Sequence, residues 1–140
     1  MTATTGTQGF FICYDRDGKV LWKHSLTEEY GRVTGYGGRI TSPVVDGDLV
    51  ILGIVNASWG EQTIGGTRFM ACDKRTGAIR WWGWTGLRVK DTYYSNPVVA
   101  TINGERLLIS GGGDGGVHAF KVHTGEKVWS FIFGSAAVNC

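Results

Sequence analysis

A glycine followed four residues later by a tryptophan occurs three times, in CYDRDGKVLW (13–22), ACDKRTGAIRW (71–81) and AFKVHTGEKVW (119–129). A second signature precedes the last two copies, TSPVV at 41–45 and SNPVV at 95–99. Two separate signatures recurring in the same order mark an internal structural repeat, which constrains the fold more than any single residue does. The first copy has a loop one residue shorter and reads Asp-Gly where the others read Thr-Gly.

Each full copy resolves into four short runs rich in Val, Ile, Leu, Phe and Trp, and none has a helical period. These runs predict strands over 42–46, 49–55, 67–72 and 78–84, then over 96–101, 106–110, 117–122 and 127–133. The segments between them carry turn chemistry: DGD (46–48), NGE (103–105) and GGGDGG (111–116). Each Thr-Gly or Asp-Gly joins the last two strands of its copy, where a glycine suits a type I turn followed by a left-handed residue. A meander of this kind has two apolar faces and buries both only by stacking against copies of itself.

The expected fold is therefore all-β, a β-propeller of four-stranded antiparallel blades. Residues 8–24 supply a half blade, 41–85 and 95–133 a full blade each, and 134–140 a linker toward a missing blade. That is an incomplete arc of about two and a half blades, short of the roughly four or more that close a propeller. Such an arc leaves blade faces and strand edges open to water.

Composition agrees. Twenty-three glycines stand against two prolines, roughly twice usual glycine usage, without a three-residue period that would indicate collagen. A net charge of +2 with interspersed signs excludes the basic stripe of a nucleic-acid binder. The longest apolar run, LVILGIV (49–55), is too short for a transmembrane helix, and the first ten residues show no signal peptide. Cys13, Cys72 and Cys140 form no CxxC or vicinal pair, and His24, His118 and His123 are not spaced for zinc. Cys13 and Cys72 are expected as buried thiols.

The pattern Ala-x-Asp-x-x-Thr-Gly-x-x-x-Trp, complete at Ala71, Asp73, Thr76, Gly77 and Trp81, resembles the tryptophan-docking motif of the quinoprotein-like, or PQQ-like repeat, β-propellers. The third copy keeps Ala119, Thr124, Gly125 and Trp129 with Lys121 in place of the Asp, and the first keeps Asp15, Gly18 and Trp22. SPVVDGDLVILG (42–53) resembles the opening two strands of such blades. The family includes dehydrogenases carrying pyrroloquinoline quinone (PQQ) and a non-catalytic outer-membrane assembly lipoprotein. The resemblance implies a periplasmic or cell-envelope setting and missing blades of the same propeller as partners. It also implies either a scaffold for a protein or extended ligand, or part of a PQQ-dependent alcohol or sugar dehydrogenase. A carbohydrate-binding propeller is a third class, on the Tyr and Trp candidates.

In a four-stranded meander, the loops between the second and third strands share one rim with the blade-to-blade connectors. On that rim lie the longest segments, with Tyr36, Arg39, Trp59, Tyr93, Tyr94 and Asp114 as candidate binding residues, since long loops on a rigid scaffold usually carry binding. GGGDGG is not a phosphate loop, because no Lys-Ser/Thr follows and a strand comes next. Asp114 and His118 can meet across that turn as a structural hydrogen bond, in preference to an acid–base pair. Glu28 and Glu29 read as solvated. No catalytic residue or metal ligand is assigned. A PQQ–calcium site belongs, if anywhere, to the full-length parent, since its carboxylates and Cys-Cys pair have no match here. Trp82 and Trp84 alternate with Trp81 on a strand and so point to the opposite face, where they remain open to a binding role.

Overall fold

The computed structural model describes residues 1–6, 8–30, 41–56, 66–89 and 94–134. Within them three antiparallel meanders follow one another. The first sheet is β1 (Thr2–Thr5), β2 (Phe10–Tyr14) and β3 (Val20–Ser25), followed by the short helix α1 (Leu26–Tyr30). The second is β4 (Val44–Asp46), β5 (Leu49–Asn56), β6 (Gly66–Asp73) and β7 (Ile79–Arg88). The third is β8 (Val98–Ile102), β9 (Glu105–Gly111), β10 (Gly116–Lys121) and β11 (Lys127–Ile132). This is the all-β, blade-like architecture expected.

Two elements depart from the sequence reading. The half blade over 8–24 gains a third strand, because β1 pairs with β2 from Thr2↔Tyr14 to Thr5↔Phe11. A helix also stands where a loop was expected. Glu29 accepts the backbone N–H of Ser25 at 2.8 Å, satisfying a donor just before the first turn, and Leu26 is buried. Glu29 stays exposed, as expected from the sequence, while also pairing with His24 Nδ1 at 2.8 Å.

The sheets stack through β5, whose alternate residues serve two cores. Val50, Leu52 and Ile54 join Phe11, Cys13, Trp22, Leu26, Met70 and Cys72 between the first and second sheets. Ile51 and Val55 join Phe69, Ala71, Trp81, Leu108, Phe120 and Val122 between the second and third. A strand buried on both faces reads as a continuous apolar run, which accounts for LVILGIV. Cys13 and Cys72 are buried free thiols; burial raises both pKa values, that of Cys72 to about 12. Cys140 lies outside the described residues.

The repeat also has a common irregularity. The register shifts after Cys13, after Ala71 and after Ala119, one β-bulge at the same place in each copy. Each of these small residues lies directly opposite a tryptophan: Cys13↔Trp22, Ala71↔Trp81 and Ala119↔Trp129. The alanine of the motif therefore leaves room for an indole across the ladder.

Candidate functional site

The motif acts at the joints between sheets. Trp22 donates its indole N–H to the carbonyl of Lys74 at 2.9 Å, and Trp81 donates to that of Val122 at 2.8 Å. Lys74 and Val122 hold equivalent places in successive hairpins. Each ring lies on the glycine of the next Thr-Gly hairpin: a Cβ on Gly77 would come 2.7 Å from the ring of Trp22, and one on Gly125 would overlap Trp81. Both glycines have φ above +70°, a second reason for glycine there. Asp73 shapes its hairpin by accepting the backbone N–H groups of Arg75 and Thr76, and Asp15 does the same for Asp17 and Lys19. Lys121, which replaces the Asp in the third copy, bonds Glu126 instead. Trp129 occupies the corresponding place on β11 and is 39% exposed.

On the rim, the GGGDGG turn places Asp114 under His118. Asp114 Oδ1 lies 2.9 Å from His118 Nε2 and accepts the N–H of Gly116. His118 Nδ1 lies 2.8 Å from Ser130 Oγ on β11. Asp114 and His118 are buried, Ser130 exposed. A Cβ on Gly112 would collide with Asp114 Oδ1, so the glycine run makes room for this chain of bonds. A cleft of about 580 Å³ beside it is lined by Leu87, Arg88, Val89, Asp114 and Ile132.

Ser–His–Asp invites comparison with a nucleophile and its base, and two of the required contacts are present. Acyl transfer also needs N–H donors for a developing oxyanion. Here the amides of Gly113, Gly115 and Gly116 are spent on Thr67 Oγ1, the Gly112 carbonyl and Asp114. The arrangement fastens β10 to β11 and, through Thr67, the third sheet to the second. Ser130 was not foreseen; its part depends on the cross-strand pairing His118↔Ser130, which a one-residue slip would undo.

Of the other rim candidates, Tyr94 is half-buried. Tyr36, Arg39, Trp59 and Tyr93 lie outside the described residues.

The opposite rim holds a polar cleft that the sequence reading missed. It measures about 540 Å³ and is lined by Asp46, Asp48, Asp73, Arg80 and His123 among others. Arg106 of the third sheet grips Asp46 of the second, and this hydrogen-bonded pairing lowers the Asp46 pKa. Arg80, 2.8 Å from Asp73, holds that carboxyl at about 2 with help from the hairpin amides. Lys74 stands 3.3 Å from Asp48. These carboxylates are neutralised by partners.

Among the described residues no three His, Cys, Asp or Glu side chains converge to hold a metal ion. The two described cysteines come from different sheets, one on β2 and one on β6. Among the described residues, then, nothing matches a PQQ–calcium site.

A family model described as outer membrane protein assembly factor BamB matches residues 1–137. Among solved structures, BamB from Moraxella catarrhalis is similar at 16% identity and a TM-score of 0.57, over 94% of this chain and 32% of its own. Quinohemoprotein alcohol dehydrogenase ADHIIG from Pseudomonas putida HK5 is similar at 16% and 0.62, over 93% and 25%. The quinohemoprotein alcohol dehydrogenase from Comamonas testosteroni is similar at 15% and 0.64, over 93% and 25%. At these identities the likeness is one of fold, and the chain spans about a third or a quarter of each structure's length. Among curated proteins none matches the sequence.

Proposed function

The chain belongs to the family described as outer membrane protein assembly factor BamB, a family of PQQ-like repeat β-propellers, and we propose that it serves as a non-catalytic scaffold segment within such a propeller. One observation carries this reading: the chemistry-bearing group on the described rim, Asp114–His118–Ser130, has its neighbouring amides spent on structure. The partner in this proposal is a protein or extended ligand seated on the loop-rich rim, in the periplasm or cell envelope. A further sheet of the same repeat covers the third sheet, its Thr-Gly hairpin receiving Trp129.

The rival assignment, part of a PQQ-dependent dehydrogenase, is tested by titrating the chain with PQQ and calcium, followed by absorbance and calorimetry. The scaffold reading expects no saturable binding; stoichiometric binding would overturn it. A fluorophosphonate probe supplies a second check. Ser130 is expected to stay unlabelled, and labelling that disappears in His118→Gln would make the rim catalytic.

A further inference from the structure

Two tryptophans on β7 make neither of the indole–carbonyl bonds that join the sheets. Trp82 and Trp84 are 38% and 47% exposed, on the face opposite Trp81. Trp84 has a fixed seat: its indole lies against the backbone of Gly66, where a Cβ would come 2.5 Å from Nε1. The guanidinium of Arg68, directly across the ladder, stands 6.0 Å from the centre of that ring, within cation–π range. Arg68 makes no ion pair among the described residues. Tyr30, from α1, meets Trp82 edge to face at 5.0 Å and 71°. Tyr30, Trp82, Arg68 and Ile54 enclose a cleft of about 240 Å³.

The shape selects among ligands. A flat aromatic cofactor needs two parallel walls, and these two rings stand nearly at right angles. A quaternary ammonium ion would be repelled by Arg68. The volume lies below the ~300–1,000 Å³ of most small-molecule pockets, so a single saturated ring fits and a dinucleotide does not. A pyranose presents slightly positive C–H bonds on one face, which suit the negative face of an indole. A carboxylate at its edge meets the Arg68 guanidinium in the charge-assisted geometry Arg favours.

We propose that the cleft of Tyr30, Arg68 and Trp82 binds an acidic sugar unit of a glycan, its ring on Trp82 and its carboxylate on Arg68, with Trp84 holding Arg68 in place. This goes beyond the scaffold reading and does not depend on it, because the cleft sits between the first and second sheets whatever covers the third.

The test is NMR titration of the 140-residue chain with methyl glucuronide, following the indole N–H of Trp82. Methyl glucoside and acetate serve as controls. The glucuronide is expected to give saturable shifts, with the glucoside weaker by about tenfold or more, the value of one charge-assisted bond, and acetate without effect. Trp82→Ala should abolish saturation, Arg68→Gln should bring the two sugars to equal affinity, and Trp129→Ala should change neither. Trp82 and Arg68 are both exposed, so the fold survives these changes, as far-UV circular dichroism would verify. Failure of the glucuronide to saturate, equal binding of both sugars by the unaltered chain, or saturation that persists in Trp82→Ala would each overturn the proposal.

Discussion

Trp81 and Trp129 hold the same place in successive repeats and end matching rows across their sheets. Val44, Ile51, Ala71 and Trp81 pair in order across the second; Val98, Ile109, Ala119 and Trp129 do so across the third. The residue types are identical, yet Trp81 is 7% exposed and Trp129 39%, with Phe131 beside it at 65%. The difference lies outside the row. The indole of Trp81 finds its acceptor and its glycine seat on the third sheet, whereas no hydrogen bond of this kind is made by Trp129 among the described residues. A repeat cannot complete its own joint, because the tryptophan is on one sheet and the carbonyl on the next.

The sharpest way to break that comparison is truncation. Trp81→Ala should destabilise the chain by about 3–5 kcal/mol, as large aromatic core truncations do, while Trp129→Ala should cost under about 1 kcal/mol, as exposed substitutions do. Urea unfolding of both variants measures the gap; equal losses would mean that the joint adds nothing to the indole's burial.

Smaller effects are expected at the glycine seats. Gly18, Gly77 and Gly125 all have positive φ, but Gly18 has open space where a Cβ would go, and the other two have an indole. Gly18→Ala should cost about 1–2 kcal/mol for left-handed backbone alone. Gly125→Ala adds about 1–3 kcal/mol for displacing Trp81. Similar costs at the two sites would place the indole elsewhere.

The sequence reveals most of this at the level of pattern. Strands β4 to β11 are legible because apolar runs alternate with glycine turns, and the three tryptophans because the hairpin spacing repeats. Strand β1 escapes because TATT carries no apolar alternation strong enough to register. Helix α1 escapes because five residues are too few to express a 3.6-residue period. Asp114 and His118 are close in sequence and their meeting was foreseeable. Ser130, Asp46 and Arg106 are brought in by register and sheet stacking, which no local window encodes.

The weakest expected effect is on pH. Asp46 and Asp73 have pKa values lowered by Arg106 and Arg80 respectively, Asp73 to about 2. With the unfolded value near about 3.9, each contributes stability above that pH and loses it as pH falls through the lower folded value. Thermal stability should decline between about pH 4 and 2, and Asp46→Asn should make that decline shallower. Because Arg106–Asp46 spans the second and third sheets, an unchanged slope would mean that this pair does not help close the joint.

The most direct measurement of the central claim is hydrogen exchange at the indole N–H groups of the monomeric chain, resolved by NMR. The docked Trp22 and Trp81 should be protected through their bonds to Lys74 and Val122, while Trp129 exchanges at the rate of an exposed indole. Protection at Trp129 equal to that at Trp81, or exchange at Trp81 as fast as at Trp129, would contradict it.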